Sequence, residues 1–382
     1  MTVGGASTTI GHGPADPFDT DGRYDLASLE RDLPAAVTAE LADYLAGRRQ
    51  DTLDVAEEFA EATDDLTRFV LAGGKRLRPT FAWWGWRAAG GLDDPGTVLR
   101  AVSALELIQG CALVHDDLID DSATRRGQPT VHARWSSRHT GAGWAGDPTR
   151  FGAAVAILLG DVALAWADDM LHDAGLDPTA IRRARPVWQA MRTEVLGGQF
   201  LDVSGHASSD SRPETALRIS RYKTAAYTIE RPLHLGAAIA GADDATVRAL
   251  RHYGRDLGIA FQLRDDVLGV FGDPAVTGKP AGDDLREGKL TLLVALTRNH
   301  PDRATAAVVE RTLGKPDLTA DDVAAAREAM QTLGVVDDVE ARIADLTASA
   351  LDAVRGTDAP ALVPPAPERL ADLAVAATRR AR

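Results

Sequence analysis

The sequence predicts an all-α protein, because apolar residues recur three and four positions apart almost throughout and no stretch alternates like a strand. Ala, Leu, Arg and Glu, which favour helices, dominate these stretches. Pro and Gly occupy the gaps between them, including 135–148, 204–213 and 272–288. The predicted helices cover residues 28–48, 51–71, 76–89, 95–120, 151–174, 178–203, 213–240, 244–271, 289–298, 302–313, 319–333, 335–354 and 366–380.

Composition limits the classes of partner. The 382 residues include 42 basic and 56 acidic side chains, a net charge of −14, which by itself argues against nucleic acid or another polyanion. The hydrophobic content of 45% indicates a large folded core. The single cysteine, Cys111, excludes a disulfide framework and a cysteine-based zinc site, and fits a reducing compartment such as the cytoplasm.

The amino-terminal residues 1–25 are rich in Gly, Thr and Asp and predict a flexible tail rather than a signal peptide. The most apolar run, 151–167, contains Asp161 and is too short for a membrane span. We therefore predict a soluble, cytoplasmic protein without stable membrane insertion. Its residues 26–382 are predicted to form one domain, because the site residues described below must converge.

The helix predicted at 76–89 begins after Gly73 and Gly74 with three cations, Lys75, Arg76 and Arg78. Backbone N–H groups at such a helix start, together with cationic side chains, favour a bound anion.

The helix predicted at 95–120 is apolar around much of its circumference, which is typical of a helix at the centre of a bundle. It ends with Asp116, Asp117, Asp120 and Asp121. Asp116 and Asp120 lie one turn apart on one face, an arrangement that suits Mg²⁺. The alternative is a solvated acidic helix end, but the helix dipole disfavours negative charge at this end.

The helix predicted at 244–271 is the second central helix, and it carries Gln262, Asp265 and Asp266. Buried like charges repel and lose hydration, so such a cluster needs a counter-charge. If the two acidic segments face each other, they would hold a diphosphate through several Mg²⁺ ions.

Cationic residues alternate with the acidic segments along the chain. Each alone is more commonly a surface charge, but their order favours a ligand with several phosphate groups. These residues are Arg125 and Arg126 after the first segment, Lys223 in a later helix, and Lys279 and Lys289 after the second segment.

Taken together, these motifs resemble those of the trans-isoprenyl diphosphate synthases, or polyprenyl synthetases. The resemblance spans residues 70–295 and includes GGKRLRP, HDDLID with RRG, KT, FQLRDDVLGVFGD and GKPAGDDLREGKLT. It implies a single-domain, all-α helical bundle of the isoprenoid synthase type around a central cavity. It also implies a homodimer that uses Mg²⁺ to condense isopentenyl diphosphate with an allylic diphosphate.

The resemblance assigns roles to individual residues. Asp116, Asp120 and Asp265 would bind Mg²⁺. Lys75, Arg78, Gln109 and Arg126 would bind isopentenyl diphosphate, whereas Arg125, Lys223, Lys289 and Lys279 would bind the allylic diphosphate. The predicted catalytic residues are Asp116, Asp117, Asp120, Lys223, Thr224, Gln262, Asp265 and Asp266, and Gln262 is also predicted to contact substrate.

Two positions depart from the family pattern. Gln109 stands where many relatives have His, and either side chain can donate a hydrogen bond. Gly269 stands where the second acidic motif usually has a third Asp. This change leaves the roles of Asp266 and Asp273 open.

Cleavage of the allylic C–O bond builds negative charge on the leaving diphosphate, which Mg²⁺ and cationic side chains stabilise. The allylic cation needs a dry pocket and oriented dipoles, for which we predict the side-chain oxygens of Gln262 and Thr224. No residue stands out as the general base, and the resemblance assigns that role to the departed diphosphate.

Product length should depend on the residues beneath the first acidic segment, because four helical residues rise about 6 Å, roughly one isoprene unit. Cys111 and Ala112 are small, so the pocket should extend to Ile108 and yield twenty-carbon geranylgeranyl diphosphate. Trp166 could close the pocket or lie at the dimer interface. The alternatives are a farnesyl or longer product, a class I terpene cyclase and a non-catalytic partner subunit.

Overall fold

The structure, a computed structural model, describes residues 26–273, 282–315 and 317–378. Most of these residues are helical and only a short hairpin is strand, which confirms the predicted all-α class. The predicted tail, 1–25, lies outside the described residues. The helices are α1 (Leu26–Arg31), α2 (Leu33–Leu53), α3 (Glu57–Leu71), α4 (Leu77–Ala88), α5 (Pro95–Ile119), α6 (Val131–Ala142), α7 (Pro148–His172), α8 (Pro178–Ser208), α9 (Pro213–Ile219), a π-helical segment (Ser220–Glu230), α10 (Arg231–Ala240), α11 (Asp244–Phe271), α12 (Asp283–Arg286), α13 (Leu292–Asn299), α14 (Arg303–Glu310), α15 (Ala320–Thr332), α16 (Val335–Arg355) and α17 (Ala366–Thr378).

Aspartate caps define where several long helices begin. The side chains of Asp94, Asp147 and Asp177 each accept a hydrogen bond from a backbone N–H in the first turn of α5, α7 and α8. Each cap is followed by Pro at the start of the helix. Proline suits this position because its missing N–H would have no partner there. These caps fix the residues at which α5, α7 and α8 begin.

The centre of the bundle contains α5, whose side chains are buried along most of its length. It packs against α4 on one side and α7 on another, and α4 in turn packs against α10. Trp83 and Trp86 of α4 are at most 1% exposed. Gly236 allows α10 to approach α4 closely, because a Cβ at this position would lie 1.8 Å from the Ala82 carbonyl oxygen.

The second central helix, α11, connects two apolar clusters. Leu250 and Leu257 in its first half belong to the large cluster around α4, α5 and α10. Leu263 and Val267 in its second half belong to a cluster formed with α13, α15 and α16. Both halves of α11 are therefore fixed by buried contacts, and the acidic cluster on this helix lies in the second half, next to Leu263 and Val267.

The predicted loop at 135–148 is wrong for most of its length, because α6 occupies Val131–Ala142. Aromatic packing explains this helix: Trp135 lies 6.2 Å from the Phe151 ring, and His139 lies 5.2 Å from the same ring. The chain then turns at Gly143, which has a positive φ of 64°. A two-stranded hairpin, β1 (Thr124–Arg125) and β2 (Gln128–Pro129), also precedes α6, whereas no strand was predicted.

The helix predicted at 213–240 is interrupted by the π-helical segment. Two neighbouring helices press against this segment through glycines. A Cβ at Gly198 of α8 would lie 2.3 Å from the backbone nitrogen of Lys223. A Cβ at Gly258 of α11 would lie 2.6 Å from the Cα of Ala225. The wider π turn thus brings the Lys223 backbone directly against α8.

Within the described residues, two helices, α5 and α7, are apolar and long enough to cross a membrane by length and composition alone. In α5, 72% of the apolar window is buried, as expected for a core helix. In α7 only 33% of the window is buried, so this helix presents an apolar face to its surroundings.

Candidate active site

The first acidic cluster lies at the carboxyl end of α5. Asp120 forms the carboxyl cap of the helix, and its backbone N–H still donates to the Asp116 carbonyl oxygen at 2.8 Å. Helical geometry therefore places Asp116 and Asp120 one turn apart on one face. Asp117, between them, is only 1% exposed.

Asp116 is held by side chains from three other parts of the chain. Its Oδ1 accepts hydrogen bonds from Lys223 Nζ at 3.1 Å and from Gln199 Nε2 at 3.0 Å. Its Oδ2 lies 3.5 Å from Arg125 Nη2. Burial alone would raise the pKa of Asp116, but Lys223 and Arg125 outweigh burial and keep this pKa below its ordinary value. The Asp116 carboxylate is therefore charged and surrounded by cations.

Asp117 faces Arg125 rather than open solvent. Its Oδ1 accepts a hydrogen bond from Arg125 Nε at 2.7 Å, while its Oδ2 has no hydrogen-bond partner among the described residues. Burial raises the pKa of Asp117 above its ordinary value. In this position Asp117 holds the Arg125 guanidinium beside Asp116.

Asp120 lies at the exposed side of the same cluster. Loss of water around its carboxylate raises the pKa of Asp120 to about 6, and repulsion from Asp116 adds to this effect. The nearby cations Lys223 and Lys289 lower the pKa but do not compensate fully. An added cation near Asp120 would therefore stabilise the charged form of its carboxylate.

Lys223 lies between two aspartates. Its Nζ donates to Asp202 Oδ2 at 2.5 Å as well as to Asp116. Burial lowers the pKa of Lys223, but the two carboxylates outweigh it and hold this pKa above its ordinary value. The adjacent Thr224 is half-buried in the π-helical segment.

The sequence interpretation missed Asp202 and Gln199, which both lie on α8. The only local signal was Gly197-Gly198, where α8 approaches the π-helical segment. Gln199 and Asp202 follow that point at a spacing that keeps them on one face of the helix.

The second acidic cluster lies in the carboxyl-terminal half of α11. Gln262 Nε2 donates to Asp266 Oδ1 at 2.6 Å, so its amide oxygen is the end left to accept hydrogen bonds. Asp266 is 5% exposed, and Asp265, one residue earlier, is half-buried. Burial raises the pKa of Asp266 to about 8, and the neighbouring Asp284 contributes by repulsion.

Lys289 acts electrostatically on a carboxylate of each acidic cluster. Its Nζ is 2.5 Å from Glu287 Oε2 and 3.6 Å from Asp284 Oδ1. It is also close enough to lower the pKa of both Asp120 and Asp266. Lys289 is therefore within electrostatic reach of both acidic helix ends. Lys279, predicted to close over the ligand, lies outside the described residues.

Arg78 and Gln109 meet at a tyrosine that the sequence interpretation did not identify. The Arg78 guanidinium lies 4.1 Å from the centre of the Tyr227 ring, and the Tyr227 hydroxyl donates to Gln109 Oε1 at 3.0 Å. Arg78 Nη2 also donates to Thr228 Oγ1 at 2.9 Å, whereas its buried Nε has no hydrogen-bond partner among the described residues. The structure thus brings together two of the residues predicted to bind isopentenyl diphosphate.

The other predicted cations lie around the glycine turn before α4, and they differ in burial and in partners. Arg76 is 4% exposed and pairs with Glu106 at 2.8 Å, so it stabilises the core. Lys75 is exposed. Arg126 Nη1 donates to the Gly73 carbonyl oxygen at 2.7 Å, which brings the RRG hairpin against this turn. Burial and the neighbouring arginines lower the pKa of Arg126.

The residues predicted to limit product length line α5 below the first cluster. Cys111 is 6% exposed and Ile108 is 2% exposed, while Ala112 is half-buried. Burial raises the pKa of the Cys111 thiol to about 12, which excludes a thiolate nucleophile at neutral pH. Trp166 is half-buried against the large apolar cluster.

The structure is an all-α bundle with two acidic helix ends and Lys289 within electrostatic reach of both. The family model for polyprenyl synthetases matches residues 59–330, and the chain belongs to this family. The family predicted from the sequence motifs is therefore confirmed.

Individual relatives agree with this assignment. The chain is 35% identical over 302 residues to a geranylgeranyl diphosphate synthase of Mycobacterium tuberculosis, covering 78% of this chain and 81% of that protein. It is also 35% identical over 265 residues to a (2E,6E)-farnesyl diphosphate synthase of the same species, covering 68% of each.

Solved structures show the same fold. A geranylgeranyl pyrophosphate synthase from Corynebacterium glutamicum, complexed with isoprenyl diphosphate and magnesium, superposes with a TM-score of 0.87 at 46% identity. The match covers 92% of this chain and 99% of that one.

Proposed function

We propose that this chain condenses isopentenyl diphosphate with an allylic diphosphate, either dimethylallyl, geranyl or farnesyl, to form all-trans geranylgeranyl diphosphate. The observation that carries the proposal is that Lys289 lies within electrostatic reach of both acidic helix ends, because one diphosphate bound beside it could contact both. The 46% identity to a geranylgeranyl pyrophosphate synthase supports the same reaction.

Mg²⁺ fits the residues present. The donors are hard carboxylate oxygens, and the raised pKa of Asp120 indicates a site that favours an added cation. The described residues contain no group of three His, Cys, Asp or Glu side chains placed to hold a metal without further ligands. Mg²⁺ ordinarily binds through one or two carboxylates and completes its shell with substrate phosphates and water. Asp116, Asp120 and Asp265 would hold several such ions, which would neutralise charge on the diphosphate.

The cations of this chain would hold the allylic diphosphate and stabilise it as it leaves. Arg125 is fixed by Asp117, and Lys223 is fixed by Asp116 and Asp202, so neither needs to reorganise when charge develops. Lys289 would approach from the side of α11. Lys279 stays a predicted contact.

The other substrate would bind near Arg78. Its guanidinium already stacks on Tyr227, and its buried Nε lacks a partner among the described residues. Arg126 and Lys75 lie at the glycine turn, where they would add charge to bind the isopentenyl diphosphate. Gln109 can donate through its amide nitrogen, because its oxygen accepts from Tyr227.

After the C–O bond breaks, the allylic cation needs a partial negative charge but no nucleophile. The amide oxygen of Gln262 and the hydroxyl oxygen of Thr224 would supply such dipoles. The double bond of isopentenyl diphosphate then attacks the cation, and the released diphosphate takes the proton that leaves.

We propose a twenty-carbon product because Cys111 and Ala112 are small and leave space along α5 as far as Ile108. The alternative is the same chemistry with a farnesyl or longer product, since the family includes the farnesyl synthase relative reported above. Trp166 stays a second candidate for the floor of this pocket.

We further propose a cytoplasmic homodimer whose residues 26–382 form one domain. The apolar face of α7 supports this association, since Ile157 is 49% and Leu158 is 62% exposed. Leu196 and Phe200 of α8 are also exposed, at 59% and 70%. Large apolar side chains exposed together commonly mark a protein interface.

The test is an assay of the purified chain with Mg²⁺, isopentenyl diphosphate and one allylic primer at a time. We expect a linear prenyl diphosphate. A cyclised hydrocarbon would indicate a class I terpene cyclase, and no turnover would indicate a non-catalytic partner subunit. Light scattering of the same sample would test the dimer.

A further inference from the structure

The π-helical segment, Ser220–Glu230, carries residues that contact both predicted substrate sites. Lys223 Nζ donates to Asp116 Oδ1 at 3.1 Å, and the Tyr227 hydroxyl donates to Gln109 Oε1 at 3.0 Å. The backbone of this segment therefore has to keep one conformation if Lys223 is to stay beside the first acidic cluster.

A π-helical stretch of 11 residues needs support from outside its own backbone. π-helices are rare and usually extend over a single turn within an α-helix, often at functional sites. Here the close approach of glycines on α8 and α11 makes room for the wider backbone. A Cβ at Gly254 of α11 would lie 2.5 Å from the Cα of Glu230, so the last residue of the segment packs directly on α11.

Glu230, the last residue of the segment, is 2% exposed and forms ion pairs with two arginines. Its Oε2 accepts a hydrogen bond from Arg221 Nη2 at 3.2 Å, and its Oε1 accepts one from Arg251 Nη2 at 2.9 Å. Arg221 is the second residue of the same segment, and Arg251 lies on α11. Glu230 thus links the end of the segment to its beginning and to a central helix.

The ion pair between Arg221 and Glu230 depends on the π conformation. The two residues are nine positions apart. In an α-helix nine residues make about two and a half turns, which would place these side chains on opposite faces. A π-helix has more residues per turn because each hydrogen bond joins residues five apart, so nine residues make about two turns and both side chains share one face. The ion pair therefore favours the π conformation over the α conformation.

Burial strengthens this preference. A buried carboxylate destabilises the fold unless cations pair with it, and loss of one partner leaves part of that cost uncompensated. A regular α-helix in this segment would separate Glu230 from Arg221. It would also change the direction of the Lys223 side chain relative to Glu230, since the two conformations differ in residues per turn.

We infer that Glu230 is a positioning residue for the condensation. Its ion pair with Arg221 holds the segment in the π conformation and thereby holds Lys223 beside Asp116. The arginines that pair with Glu230 are not among the predicted substrate-binding residues, so Glu230 acts through Lys223. The inference rests on the proposed function, which assigns Lys223 to the allylic diphosphate.

The alternative is that this ion pair contributes to stability only. The two roles differ in their dependence on Lys223. If Glu230 positions Lys223, its loss lowers kcat only while Lys223 is present, and the two changes are not additive. If Glu230 only stabilises the fold, its loss leaves the kcat of the folded enzyme unchanged, or lowers it by the same factor with and without Lys223.

The experiment is a double-mutant cycle on the full chain, with Mg²⁺ and saturating isopentenyl and farnesyl diphosphates, below the unfolding transition. In Glu230→Gln an amide nitrogen, which cannot accept a hydrogen bond, replaces one carboxylate oxygen. We expect this change to lower kcat about tenfold in the wild type, because a small displacement of a catalytic group is costly. In Lys223→Ala the same change should lower kcat less than about twofold.

Glu30→Gln is the matched control. Glu30 accepts hydrogen bonds from Arg87 Nε at 2.6 Å and from Trp83 Nε1 at 3.2 Å, so it is also a carboxylate with two donors, but it lies on α1. Its loss should lower the thermal unfolding temperature and leave kcat unchanged in both backgrounds.

A second variant keeps Glu230 and removes only its contact within the segment. Arg221→Met leaves the pair with Arg251 intact, so the buried carboxylate keeps one cationic partner. We expect the same pattern in the cycle. We also expect amide hydrogen exchange to be faster within the π-helical segment than in the wild type, with exchange in α5 unchanged. If thermal denaturation shows that Glu230→Gln is unfolded, Arg221→Met decides.

Unchanged kcat in both variants, equal losses with and without Lys223, or unchanged exchange within the π-helical segment would each overturn the inference. Wild-type condensation is measured alongside. Its absence would contradict the proposed function, whereas equal losses beside an active wild type would contradict only the role of Glu230.

Discussion

The two acidic helix ends carry similar sequences but differ in their surroundings. At the end of α5, Asp116 contacts Lys223 and Arg125, and these cations keep its pKa low. Near the end of α11, Asp266 is buried beside Asp284, and burial raises its pKa to about 8. At the first end, cationic side chains therefore keep Asp116 charged, whereas at the second end burial and a neighbouring carboxylate favour the protonated form of Asp266.

This difference indicates a division of work. A compensated cluster holds its cationic side chains in place before the ligand arrives, which favours stabilisation of charge on a leaving group. A buried carboxylate with a raised pKa, such as that of Asp266, is stabilised in its charged form by an added cation. We therefore expect changes at the first end to reduce turnover most, and changes at the second end to reduce Mg²⁺-dependent binding.

The largest effect should follow Asp116→Ala. This change removes a predicted Mg²⁺ ligand and one of the two carboxylates that hold Lys223, so we expect turnover to fall about a thousandfold. Initial rates of condensation at saturating substrates measure it. Asp121→Ala is the control, since Asp121 is exposed in the same acidic run. A loss of less than tenfold for Asp116→Ala would remove this residue from the metal site.

At the second end, Asp265→Ala should cost less, about a hundredfold in turnover. Asp116 and the cations around it remain to hold the diphosphate in this variant. The loss should shrink as the Mg²⁺ concentration rises, because the change weakens metal binding. Asp244→Ala, at the exposed amino end of α11, provides the control. If Asp265→Ala proved more damaging than Asp116→Ala, the proposed division of work would be wrong.

The two ends also differ in what lies beneath them, because only α5 carries the predicted floor of the product pocket. Cys111→Phe should fill the space one turn below Asp116 and shorten the main product from twenty to fifteen carbons. Chromatography of the dephosphorylated products measures this change, with Cys111→Ser as a control that keeps a small side chain. Unchanged product length in Cys111→Phe would place the floor elsewhere.

The smallest expected effect is on stability. It concerns His234, a half-buried residue that belongs to neither acidic helix end. Burial lowers the pKa of His234 from 6.5 to about 4, and Arg231 and Arg251 add to this shift. Between these pH values the unfolded chain binds more protons, so the free energy of unfolding falls as pH drops. The loss should be on the order of 2 kcal/mol.

Urea denaturation at several pH values in EDTA measures that loss. His234→Gln should remove this part of the pH dependence, while His172→Gln, at an exposed position on α7, should retain it. Identical pH profiles for His234→Gln and the wild type would show that His234 does not cause the acid sensitivity.

Much of the fold could be predicted from local pattern. The limits of α5 and α11 lie within one residue of the predicted 95–120 and 244–271, because both helices have aspartate caps and long apolar repeats. The α6 helix was missed because its Ser, His and Arg residues resemble a loop, and only contacts between Trp135 and Phe151 reveal why it is helical.

The site could be predicted less completely. The acidic pairs and the cations can be recognised in the sequence by their spacing. The structure brings Lys223 and Arg125 into contact with Asp116. Asp202 and Tyr227 have no such signal, since each reaches the site through packing between distant helices. The π-helical segment likewise depends on close approach of glycines on α8 and α11.

The most direct test of the central claim counts isoprene units. The purified chain is incubated with Mg²⁺, isotopically labelled isopentenyl diphosphate and one unlabelled primer, and the product is weighed by mass spectrometry. The account predicts a linear twenty-carbon diphosphate with three labelled units from dimethylallyl diphosphate, two from geranyl diphosphate and one from farnesyl diphosphate. Recovery of all three primers without any labelled unit would contradict it.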